Sequence, residues 1–88
     1  MDTDAHISMN VIRAVKQAHE GQLMGMANVV GVGIGFRTYQ GLRTNEPALV
    51  VMVSRKIPPE LLNPEERIPA EIDGVPVDVQ EVGQIHIQ

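Results

Sequence analysis

The 88-residue sequence has no cysteine and no tryptophan, with a single tyrosine and a single phenylalanine. Without thiols there is neither a disulfide framework nor a thiolate metal site, and a reducing cytosol is the default compartment. With so few aromatics the core must come from Val, Ile, Leu, Met and Ala, which bury less area per residue. Basic runs are missing too: the seven Lys and Arg are scattered and the formal charge is -4. Neutralising a phosphate backbone needs clustered cations, so nucleic acid is excluded as a partner. The opening MDTDAHISMN is acidic and polar, unlike a secretory signal, and no apolar stretch approaches the roughly 20 residues that cross a bilayer. The expectation is one soluble, cytoplasmic domain over residues 1–88 with no membrane partner. A chain of this size buries only roughly 60–65% of the surface it exposes unfolded, so self-association would add to a thin margin of stability.

Apolar residues Ile7, Val11, Ala14, Val15 and Ala18, with Ile12 widening the stripe, predict an amphipathic helix over about 4–20, with Arg13, Lys16, Gln17 and Glu20 facing out. Asp2, Thr3 or Asp4 can cap its start, and Gly21 or Gly25 can end it. Met24 and Met26 follow as flexible gap-fillers. From Asn28 to Thr38 the period changes to two, and PALVVMVS (47–54) repeats that pattern. Between them RTYQGLRTNE reads as a hairpin loop joining antiparallel neighbours. The four prolines of KIPPELLNPEERIPAEI exclude a central strand but allow one helical turn after Pro58 with Leu61 and Leu62 facing inward, a tethered crossover. Asp73-Gly74 is a two-residue turn signal joining a short strand to a longer one, with Val75, Val77 and Val79 on one face and Asp78 and Glu81 on the other. The tail 84–88, QIHIQ, alternates like an edge strand and carries no Lys, Arg, Asp or Glu to protect it. Together these predict an α+β fold: an N-terminal amphipathic helix packed on a small, mainly antiparallel sheet of three to five strands, with a Pro-rich crossover.

The segment VVGVGIGF (29–36) poses the main functional question, because it reads either as a phosphate-cradling loop or as a strand with one bare face. A dinucleotide fingerprint needs a third glycine where Phe36 stands and a helix after it; a phosphate loop of the Walker type needs Gly-Lys-Ser/Thr. Neither is present. As a strand, Val30, Val32, Ile34 and Phe36 share one face while Gly31, Gly33 and Gly35 leave the other without side chains. Each glycine costs about 0.5–1 kcal/mol relative to alanine. Packing of the helix, of a partner or second subunit, or of a small molecule against the bare face would compensate.

Reactive constellations are weak. His6 and His19 would lie about 20 Å apart along one helix, which leaves them and His86 as solvated or capping groups rather than metal ligands. Glu60, Glu65, Glu66, Glu71, Asp73, Asp78 and Glu81 fall on a proline-rich loop and an outward strand face, where acids serve solubility rather than acid–base catalysis. Ser8 and Ser54 sit in no nucleophile elbow. Arg37, Arg43, Arg55 and Lys56 flank the hairpin ends and can contact an anion. No catalytic residue, metal site or cofactor is expected.

NVVGVGIGF, a hairpin with Thr44 and Glu46, ALVVMVSRKIP, LL and IPAEIDGVPVDVQEVG, spanning residues 28 to 83, together resemble the lead segment that precedes the protease domain in many bacterial trypsin-like serine-protease-related proteins. Thr44, Glu46, Lys56, Asp73 and Gly74 match that motif, whereas Val77 after Pro76 stands where the family more often has Thr. The resemblance implies a small αβ module, free-standing or truncated, propeptide-like or assembly-related, bearing none of the protease triad. The functional expectation is a non-enzymatic module forming a homo-oligomer or binding a protein partner through Gly31, Gly33 and Gly35, the tail residues Ile85 and Ile87, or both. The alternative is a small enzyme or ligand carrier with its site between the glycine strand and the basic hairpin end.

Overall fold

The computed structural model describes residues 8–83. They form helix α1 (Met9–Met24), strands β1 (Val29–Tyr39), β2 (Leu42–Val53), β3 (Glu71–Ile72) and β4 (Val75–Glu81), and two 3₁₀ turns, Pro59–Leu61 and Pro64–Glu66, between β2 and β3. The α+β expectation holds: one helix packs on a four-stranded mixed sheet of order β1-β2-β4-β3. The β1–β2 and β3–β4 pairs are antiparallel, while β2 and β4 run parallel. A parallel pair needs a crossover, and the proline-rich segment supplies it.

Helix α1 starts and ends later than its periodicity predicts. Ser8 is the N-cap, its hydroxyl accepting from the Val11 N–H at 3.2 Å, and Gly25 is the C-cap. Asp2, Thr3, Asp4 and Ile7 lie outside the described residues. The buried stripe is also rotated: Ile12, Val15 and Leu23 enter the core, whereas Val11 is 46% exposed and Ala14 and Ala18 face solvent. Burial of Leu23 anchors the last turn and carries the helix through Gly21, whose intrinsic cost is about 1 kcal/mol. Lys16 and Glu20, expected to point out, border the buried stripe and pair at 3.0 Å.

The hairpin is longer than its polar sequence predicts. The ladder runs to Tyr39↔Leu42, and the turn is only Gln40-Gly41, with φ of 52° and 79°. Positive φ at both central residues is the type I′ geometry that matches strand twist. Asp73-Gly74, with φ of 50° and 84°, makes the same turn between β3 and β4, as the sequence predicts. Leu61 is 73% exposed rather than inward; Leu62 is the half-buried member of the pair. The first 3₁₀ turn places Leu62 inward because it stops one residue before it.

An irregularity between Val29 and Gly31 sets which residues meet α1. Val29 pairs with Val53 and Gly31 with Met52, so Val30 is an extra residue, 43% exposed, and Val29 takes the core position expected of it. Beyond it Val32, Ile34, Leu49, Val51, Val77 and Val79 alternate toward the helix. Ile12, Leu49, Val51 and Val75 are fully buried, each contributing about 1.5–3 kcal/mol of transfer free energy. Glu81 follows the parity of Val77 and Val79, not that of Asp78, but stands at the strand's end, exposed, where its carboxylate accepts the Lys56 N–H at 2.8 Å.

Candidate functional surfaces

The register places Gly31, Gly33 and Gly35 opposite Met52, Val50 and Ala48, with Asp78 and Gln80 of β4 next in the row. This is the face turned away from α1, so the helix does not fill the bare positions. Side chains of the neighbouring strand do: a Cβ at Gly31 would approach Met52 Cε to 2.9 Å, and one at Gly35 would approach Val50 Cγ2 to 3.0 Å. At Gly33 the same atom would meet only Met52 Cε, at 3.8 Å. A shallow groove of about 410 Å³ opens over Gly33 and Gly35, bordered by Val50, Met52, Gln80 and Arg43. Strand β1 is also an edge of the sheet.

At the turn end of the hairpin a second irregularity lies between Phe36↔Pro47 and Thr38↔Arg43. Thr44 repairs it: its hydroxyl donates to the Arg37 carbonyl at 2.7 Å and accepts the Glu46 N–H at 3.2 Å. Arg37 reaches Glu46 at 3.4 Å, and Arg43 lies 5.1 Å from the centroid of Phe36. Both cations are thus engaged locally. Arg55 and Lys56 stand beyond the other end of β2, so the four basic positions form two separate pairs rather than one anion cradle.

Arg55 and Lys56 instead border a half-open pocket of about 420 Å³ between the sheet and the crossover, with Val53, Ile57, Leu62, Ile68 and Arg67 among its lining. Sequence periodicity could not mark it, because Ile57, Leu62 and Ile68 are interrupted by proline-directed turns. Met52 and Val50 were legible only through the register that sets them opposite glycines. His19 is not simply solvated: its Nε2 lies 3.0 Å from Asp73 Oδ2, tying α1 to the β3–β4 turn. Among the described residues no group of three His, Asp or Glu is arranged to hold a metal ion. Ile85, Ile87, His86 and the tail 84–88, like His6, lie outside the described residues.

Comparison with known proteins brings a family match. The model of the NARROW LEAF 1 N-terminal domain family matches residues 6–82. Protein NARROW LEAF 1 of rice, Oryza sativa subsp. japonica, is 40% identical over 45 residues, which are 51% of this chain and 8% of the rice protein's length. These findings correct the resemblance to a bacterial lead segment: the matching domain is named for a plant protein, and the bacterial and trypsin-like-protease associations fall with that resemblance. The residues that suggested it have structural work of their own here, Thr44 and Glu46 at the hairpin irregularity and Asp73-Gly74 in a turn.

Proposed function

The chain belongs to the NARROW LEAF 1 N-terminal domain family, and from that premise we propose that it is a non-enzymatic interaction module that self-associates through the edge and glycine face of β1. The observation that carries this reading is the stretch Gly31–Phe36, a regular ladder segment bounded by two irregularities, on a sheet edge, with no charged residue and no proline. Natural edges are commonly blunted by charge, proline or bulges against pairing with another chain. Here the bulges flank the stretch and do not interrupt it. A second copy can add a strand there while its side chains rest on the low ground over Gly33.

Sedimentation velocity tests this. The chain is expected to sediment as a dimer or larger species, and Gly33→Glu to sediment as a folded monomer, since the added Cβ has room in the single chain. A wild-type chain that stays monomeric as concentration rises, or a variant that assembles equally well, sinks the proposal. A second reading, ligand binding in the glycine-face groove beside Arg43, draws on that groove's volume of about 410 Å³. It requires amide-shift changes at Gly33, Gly35 and Arg43 on addition of a small anion such as acetate, without any change in mass.

A further inference from the structure

We propose that the cavity beneath the proline-rich crossover binds a small amphipathic anion, an alkyl carboxylate whose tail lies between sheet and crossover and whose head meets Arg55, Lys56 and Arg67. Its volume, about 420 Å³, falls in the range of small-molecule sites. Its apolar walls come from two sources: Val53 and Val79 from the sheet, and Ile57, Pro58, Leu62 and Ile68 from the crossover. The crossover is shaped for this by its own bonds. Arg67 Nε donates to the Pro59 carbonyl at 2.9 Å and so ties the two 3₁₀ turns together, while the Asn63 N–H donates to Glu66 Oε1 at 3.1 Å and caps the second of them.

Charge selects the head group. Three cations line this cavity against one carboxylate, Glu66, in a chain whose formal charge is -4. Among the described residues none of Arg55, Lys56 and Arg67 lies within ion-pair distance of a carboxylate. The nearby acids are occupied by backbone: Glu66 takes the Asn63 N–H and Glu81 takes the Lys56 N–H. An apolar slot with a cationic rim complements a ligand with one apolar end and one anionic end.

The test compares dodecanoate with dodecyltrimethylammonium, the same tail under opposite charge, each below its aggregation threshold, by calorimetry and amide chemical shifts on the full chain. Dodecanoate is expected to bind one per chain with shifts at Val53, Ile57, Leu62 and Val79, and the cationic analogue to bind at least about tenfold more weakly. Arg55→Gln, which removes one charge at an exposed residue with no side-chain hydrogen bond or ion pair among the described residues, is expected to weaken dodecanoate about tenfold, the loss of one charge-assisted contact. Equal affinity for the two heads, shifts confined to Gly33 and Met52, or absence of saturable binding overturns the proposal. So does co-sedimentation with phosphatidylglycerol vesicles without any binding of free dodecanoate, which would assign the basic rim to a lipid surface.

Discussion

Replacing Gly33 with alanine is expected to make the folded monomer more stable and its self-association weaker. Gly33 does not have positive φ, so alanine fits its backbone. The new Cβ would meet Met52 Cε at 3.8 Å, ordinary van der Waals contact. What is left is the backbone-entropy advantage of alanine over glycine, about 0.5–1 kcal/mol in a strand, which for a domain of this size raises the melting temperature by about 2–8 °C. The flanking glycines calibrate the reasoning. At Gly31 the added carbon would come within 2.9 Å of Met52 Cε, the far end of a flexible side chain that swings aside at little cost, so the gain shrinks without reversing. At Gly35 it would come within 3.0 Å of Val50 Cγ2, and Val50 is both buried and stiff at χ1. There the strain offsets the entropic gain and the variant is neutral or destabilised by about 1 kcal/mol.

Thermal and urea unfolding of the three variants, at dilutions where assembly does not contribute, should therefore rank Gly33→Ala above Gly31→Ala above Gly35→Ala. A destabilised Gly33→Ala, or a Gly35→Ala as stable as it, refutes the packing argument. If β1 self-associates as proposed, the same Gly33→Ala chain should show a raised dissociation constant in sedimentation, because the added methyl group occupies the gap over Gly33. If its assembly matches that of the wild type, the glycine face has no part in self-association.

Other expectations follow from single contacts. Leu49→Ala empties a fully buried position between β1, β4 and α1 and should cost about 2–5 kcal/mol, read as a lower urea midpoint; a loss below about 1 kcal/mol would show that the core collapses around it. Thr44→Val removes the hydroxyl that serves both Arg37 and Glu46 and should cost about 1 kcal/mol, with Thr44→Ser retaining most of it; equal melting of the two variants contradicts that role. Asp73→Ala places a Cβ-bearing residue without a local acceptor at φ 50° and should cost about 1–2 kcal/mol, whereas Asp73→Gly should melt higher than it. His19→Ala should cost less than about 1 kcal/mol, because Asp73 is 66% exposed and such pairs are screened.

How far the sequence could be read depended on whether the local signal and the tertiary environment agreed. Asp73-Gly74 was legible because the turn demands positive φ at both positions and its two residues are of types that supply it. Gln40-Gly41 makes the same turn, yet its flanks read as loop: the outer hairpin projects past the core, both its faces meet water, and no apolar alternation marks it as strand. The helix was found but turned by a position, since small residues at 14 and 18 imitate an apolar stripe that Ile12 and Leu23 in fact define by entering the core. The glycine run shows most clearly why the rest was hidden. Alternation assigned its faces correctly beyond Val30, but the occupant of the bare face is not written in β1 at all. It is Met52 and Val50, reached only once Gly31 is known to pair with Met52 and Gly35 with Ala48. Those two side chains fill the floor over Gly31 and Gly35 and leave Gly33 as the gap, so the position that the fold itself does not require to be glycine is also the one where a second chain has the most room to approach.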